Sequence, residues 1–213
     1  MDELLVTFLC PIRIDGSNKL RIDEQFLAAN KGVEGVSNML NSLKNNCSGK
    51  YKWEIIFKID EDDNSAIKWF NDVQNEYPYP RAVFSPRGSN FPKAQYKVIH
   101  EWLNECYAIS KKSKWYWLWN HANLLETENT DLKWDEVVAE KKDKFIWPRT
   151  DVHKKKPSMG NLFPVISGKI VEERKNVGDG SPFDIYWEGQ GSKEVEKEDR
   201  LLIITDVTIQ RDK

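Results

Sequence analysis

The sequence predicts an α/β domain three layers deep, with helices on both faces of a mostly parallel central sheet. Three observations carry that prediction. Near-continuous apolar runs at 4–10, 53–59 and 115–119 have strand length and read as strands buried on both faces, as parallel strands are. Segments with apolar residues at helical spacing separate them, and strands alternating with helices imply βαβ units. The length, 213 residues, suits one well-filled core, so a single domain is expected over 1–213.

Leu4-Leu5-Val6-Thr7-Phe8-Leu9-Cys10 is the first strand, ended by Pro11. The stretch from Pro11 to Lys19, with Asp15-Gly16-Ser17-Asn18, is turn-forming. Phe26 and then Val33, Val36, Met39, Leu40 and Leu43 give a helical stripe that stops at Asn45-Asn46. Trp53 to Ile59 is the second strand, closed by Asp60-Glu61-Asp62-Asp63-Asn64. Those acidic and amide groups can cap the next helix, whose apolar face is Ile67, Phe70 and Val73. A third strand at about 81–84 leads into Ser85-Pro86-Arg87-Gly88-Ser89-Asn90. Val98, Ile99, Trp102, Leu103 and Cys106 then mark a well-buried amphipathic helix. Trp115-Tyr116-Trp117-Leu118-Trp119 is the fourth strand, and alternation points its odd-numbered rings together into the core. It ends in a loop, Asn120-His121-Ala122-Asn123. Beyond it the pattern predicts a helix at about 131–142, strands at 145–147 and 162–166, a small helix near Pro182 and a last strand at 201–209.

Composition excludes several classes of function. A net charge of −2, from 32 basic and 34 acidic side chains, gives no overall field for a polyanion, so no nucleic-acid partner is expected. Cys10, Cys47 and Cys106 lie far apart without a CxxC pair, which argues against a disulfide framework or zinc knuckle and fits a reducing compartment. The apolar runs are far shorter than the roughly 20 residues that span a bilayer. With no basic segment near the start, a soluble, cytoplasmic protein without a transmembrane segment is expected. In parallel sheets ligands bind beyond the carboxyl ends of the strands, which selects the loops at 11–19, 60–64 and 120–123.

The phrases "LLVTFLCPIR", "MLNSL" and "WEIIFKIDEDDN", in that order, resemble the first half of the GT-A nucleotide-binding domain of family-2-like glycosyltransferases. "VIHEWLNE" and "KWYWLWNHANLL" are similar to the helix and metal-motif strand of the same family, and "NLFPVISGKI" and "SPFDIYW" are weaker echoes. The resemblance covers roughly residues 4–125 and divides the chain into a nucleotide-binding half, 1–125, and an acceptor-side half, 126–213. It implies a glycosyltransferase-like protein that moves a sugar from a nucleotide-diphosphate donor to a hydroxyl acceptor. Two other readings stand beside it: a non-catalytic nucleotide-sugar-binding module of the same fold, and an interaction domain whose tryptophans form a partner surface.

The same resemblance implies roles for particular residues. Pro11 and Arg13 occupy the first loop, where backbone groups contact the nucleotide and a guanidinium can pair with phosphate. Asp60 would accept hydrogen bonds from the base, with Asp62 or Asp63 near the ribose or metal; the plainer reading of all three is a helix cap in an acidic turn. Arg87 lies in a glycine-containing loop that faces the donor. At the end of the fourth strand the family carries an Asp-x-Asp type motif, because a hard cation such as manganese or magnesium wants carboxylate oxygens. Asn120-His121-Ala122-Asn123 offers none, so the motif is degenerate and a hard cation is expected to bind weakly. Asn120 can still hydrogen-bond a ribose hydroxyl, and His121 is a softer ligand suited to transition metals. Asp184, in "SPFDIYW", falls where an inverting enzyme places its general base. His100 and the basic run His153-Lys154-Lys155-Lys156 read as structural and as a solvated loop.

Overall fold

The computed structural model describes residues 4–15, 32–75, 80–86, 95–119, 123–125, 127–132, 145–150, 165–175 and 201–211. In chain order these form β1 (Leu4–Ile12), α1 (Val33–Asn46), β2 (Trp53–Asp60), α2 (Asn64–Val73), β3 (Pro80–Ser85), α3 (Gln95–Ala108), β4 (Ser113–Leu118), β5 (Asn123–Leu125), β6 (Phe145–Thr150), β7 (Val165–Ser167), α4 (Gly168–Lys175) and β8 (Leu201–Arg211). One sheet holds all the strands in the order β3-β2-β1-β4-β7-β6-β8-β5. Its first four strands are mutually parallel, which is where the long buried runs of the sequence fall. β7 is antiparallel to β4 and β6, and β8 runs parallel to β6 and antiparallel to β5.

Alternation along the strands divides the core into two faces. On one, Phe8 and Cys10 of β1, Phe57 of β2 and Trp115, Trp117 and Trp119 at β4 meet Val36, Met39, Leu40 and Leu43 of α1 and Ala66, Trp69 and Phe70 of α2. Phe8 stacks on Trp117 with ring centroids 5.4 Å apart and meets Trp53 and Trp119 edge-on. Rings in this arrangement contribute their area burial and about 0.5–1.5 kcal/mol more per pair. Trp53, Trp69, Trp115, Trp117 and Trp119 are thus core and present no partner surface.

The other face is covered by α3 through Leu103 and Cys106, both buried. It carries a polar staple at the amino ends of the strands. Buried Glu54 accepts from Thr7 Oγ1 at 3.1 Å, the Lys111 amide at 2.8 Å and Arg81 Nη1 at 3.3 Å, joining β1, β2, β3 and the approach to β4.

Several expectations change. Pro11 does not end β1 but lies inside it, opposite Lys58. The last β1 residue paired with β4 is Leu9, so Pro11 has β2 alone as a neighbour, the edge-like setting in which a missing N–H is tolerated. Asn123 begins a short strand rather than closing a loop. α4, which the sequence reading lacked, starts at Gly168, where a Cβ would collide with the carbonyl oxygen of Ser113; only glycine allows that approach. The helix expected at 131–142 falls largely on residues outside those described, and the one near Pro182 wholly so. Among the described residues no helix is long and apolar enough to cross a membrane.

Candidate functional site

β2 and β4 flank β1 on opposite sides, so the strand order reverses at β1. In a parallel sheet that reversal opens a crevice at the carboxyl ends of the two strands that part there. The register brings the strand ends level. Ile12 pairs with Ile59, Asp60 with Ser85, and the Trp119 amide donates to Leu9 O at 2.8 Å just past the end of β4.

At this edge Arg13 leaves β1 beside the end of β2. Its Nη1 lies 2.6 Å from Asp60 Oδ2 and 2.7 Å from Asp62 Oδ1, and its Nη2 is 3.0 Å from Asp62 Oδ2. The guanidinium therefore makes a two-pronged pair with Asp62 and a single charged bond to Asp60. The two carboxylates differ in setting: the Asp60 side chain is 3% exposed and that of Asp62 is 68% exposed. Hydrogen bonds to Asp62 first, and then to Asp60, hold Arg13 more firmly in its charged form against the opposing effect of partial burial.

Asp63 stands one turn further on. It is the N-cap of α2, fully buried, and accepts from the Ala66 amide at 3.0 Å. The same carboxylate takes the amides of Ile14 at 2.6 Å and Asp15 at 3.0 Å, which clasps the loop after β1 onto the helix. Asp15 reciprocates by accepting from the Ser65 amide at 2.8 Å, and Ser65 holds its carboxyl below the usual range. The capping role that the sequence offered for the whole acidic run belongs in the structure to Asp63, while Asp60 and Asp62 face Arg13.

One member of the cluster escaped the sequence reading. Lys58, 1% exposed, lies two residues before Asp60 and so on the same face of β2. Its ammonium donates to Asp60 Oδ1, to Ser85 O at 3.3 Å and to Pro86 O at 3.2 Å, and stands 5.0 Å from the centre of the Trp102 ring. The available signal was a lone cation among Ile55, Ile56, Phe57 and Ile59.

Comparison with known proteins gives no match to any protein-family model and none to a curated protein. Solved structures do match. The S. aureus TarS 1-349 structure in complex with UDP superposes with a TM-score of 0.60 at 10% identity, over 97% of this chain and 60% of that one. A second TarS structure gives 0.61 at 9%, over 99% and 37%. The mannosyltransferase PcManGT from Pyrobaculum calidifontis, in complex with GDP-Man and Mn2+, gives 0.62 at 10%, over 100% and 58%. The fold is GT-A-like. At such identities the likeness is one of fold, and the chain spans 60% or less of each of these structures.

On the GT-A-like frame, Pro11, Arg13, Asp60 and Asp62 gather at the carboxyl ends of β1 and β2, with Asp63 behind them as a brace. Arg87, Asn120, His121 and Asp184 lie outside the described residues. Among the described residues no group of three or more His, Cys, Asp or Glu is placed to hold a metal ion. Asp62 is paired with Arg13, and Asp63 accepts from three amides. Among the described residues, then, Asp62 and Asp63 are both committed to protein donors.

Proposed function

We propose that this chain binds a nucleotide sugar at the carboxyl ends of β1, β2 and β4 and acts as a glycosyltransferase of the family-2-like type, passing the sugar to a hydroxyl acceptor. The observation that carries the reading is the Arg13–Asp60–Asp62 cluster at the carboxyl ends of β1 and β2, beside the strand-order reversal of a GT-A-like fold. Structures similar in fold hold UDP or GDP-Man, which supports a nucleoside-diphosphate ligand. Asp60, buried at the end of β2, accepts from an N–H of the base. Pro11 and the following loop lie along the nucleotide, while Asp62 and Asn120 take ribose hydroxyls.

Arg13 can exchange its partner. Asp62 is exposed, so water can solvate its carboxylate when a phosphate takes its place at Arg13. With a donor set at 120–123 that does not suit a hard cation, stabilising the departing diphosphate falls to Arg13 and Arg87. Asp184 is the proposed base that accepts the acceptor's proton.

The missing carboxylates also favour a second reading, a non-catalytic nucleotide-sugar-binding module. Thermal shift with a panel of uridine- and guanosine-diphosphate sugars, with and without manganese, tests both. Stabilisation that grows with ligand concentration is expected. Donor hydrolysis or transfer alongside it selects the enzyme, and binding without turnover selects the module. A panel with no effect on unfolding rejects both.

A further inference from the structure

An ion pair withdrawn from water inside a parallel sheet is expensive, and apolar residues of similar volume in place of the whole pair often serve the fold as well or better. Lys58, paired with Asp60, is such a case, and stability alone gives no account of it. Its three donors have specific targets. One goes to Asp60 Oδ1 and two to the carbonyls of Ser85 and Pro86, at the exit of β3. Ser85 O also accepts from the Glu61 amide at 3.1 Å, and Ser85 Oγ bonds Glu105 of α3 at 2.5 Å, so that exit is held from three sides. Trp102 covers the ammonium from α3.

Asp60 is consequently gripped by two cations of different character. Arg13 reaches Oδ2 from the loop after β1 and is shared with an exposed carboxylate; Lys58 reaches Oδ1 from within the sheet and is sealed from water. We infer that Lys58 is a positioning residue for the nucleotide site: it fixes the Asp60 carboxylate, and the start of the loop after β3, while Arg13 changes partner. The inference rests on the nucleotide-binding reading above and deepens it. A fixed counter-charge beneath Asp60 lets Arg13 turn to a phosphate without leaving the buried carboxylate uncompensated.

Lys58→Met tests this, since methionine keeps the length and removes the charge. UDP and GDP affinities are measured by calorimetry, together with the urea transition. Nucleotide affinity should fall about tenfold while the urea transition remains cooperative, Arg13 still pairing with Asp60. In an Asp60→Asn background the same substitution should change affinity less than about twofold, because coupled residues are non-additive. A loss of equal size in both backgrounds, or no loss in either, would overturn the role. Should Lys58→Met fail to fold, Lys58→Gln is measured in its place against the same two outcomes. If the wild type binds neither nucleotide, the binding reading fails by itself. Ligand-free crystal structures then judge Lys58: displacement of the Asp60 carboxylate and of residues 85–86 in Lys58→Met upholds its role, and their staying in place rejects it.

Discussion

Asp60 and Asp63, three residues apart in one acidic run, do different work because the strand ends between them. Asp60 is the last residue of β2, and its side chain follows the alternation onto the α3 face beside Lys58. Asp63 follows the turn and caps α2. Replacing Asp60 by alanine leaves the Lys58 ammonium buried without its carboxylate, and should lower stability by about 3–5 kcal/mol in urea denaturation. On the proposed function it also weakens UDP or GDP binding by about 1–3 kcal/mol in calorimetry. Wild-type stability and affinity in the variant would reduce Asp60 to a turn residue. From the sequence, the location of this acidic cluster was legible, since a strand-length apolar run stops there. The division of labour was not, because it depends on which oxygen meets Arg13, a residue 47 positions away. Lys58 was hidden by averaging: one lysine among Ile55, Ile56, Phe57 and Ile59 barely disturbs a strand pattern.

The long elements were read correctly where the pattern is repeated. Of the expected α1 stripe, Val36, Met39, Leu40 and Leu43 are buried as their spacing predicts, whereas Val33, in the first turn, is exposed; β2 runs one residue beyond its expected end. β5 was missed because three residues carry no periodicity, and what makes it a strand is distant. Ser42 Oγ accepts from the Leu125 amide at 3.0 Å, and Asn46 Nδ2 donates to Leu125 O at 2.7 Å, so α1 supplies both main-chain partners of a strand residue some 80 positions on. Asn46→Ala leaves that carbonyl unpaired and is expected to cost about 1–2 kcal/mol, with faster amide exchange at Leu124 and Leu125. Unchanged exchange there would mean that β8 alone holds β5. The segment before β5 supports another test. Ala122→Asp, alone or with His121→Asp, should strengthen manganese-dependent nucleotide binding by supplying an anionic ligand, whereas the natural sequence is expected to show little metal dependence. Strong manganese dependence in the unaltered protein would place the ligands elsewhere, with Asp62, Asp63 and Asp206 the next residues to substitute.

At the scale of the whole molecule, burial has pushed several of the described acids with high pKa values higher still. Desolvation raises the Cys47 thiol from 9.0 to about 12, and Cys10, Cys106, Tyr107 and Tyr116 rise for the same leading reason. Each favours the folded state while protonated. Above pH 9.0 the unfolded chain ionises its thiols and the folded one does not, so the stability they lend falls as pH rises past that value, for Cys47 until about 12. The slope is about 1.4 kcal/mol per pH unit for each thiol. The urea midpoint should be level near neutrality and fall steeply above pH 9.0, with the native thiols slow toward a disulfide reagent at pH 8. Rapid labelling of all three cysteines at neutral pH would contradict this. The fold class was legible because four parallel strands announce themselves locally, but the placing of β8 was not. β8 sits between β6 and β5, so a strand made late enters between two made earlier. During synthesis the β1–β4 half can assemble as soon as its own residues leave the ribosome, and β7 and β6 can follow, while β5 and the other edge of β6 wait for residues 201–211. Pairings between segments so far apart in the chain form slowly, and until they do the unfinished edge is the stretch most open to misassembly and to capture by a chaperone.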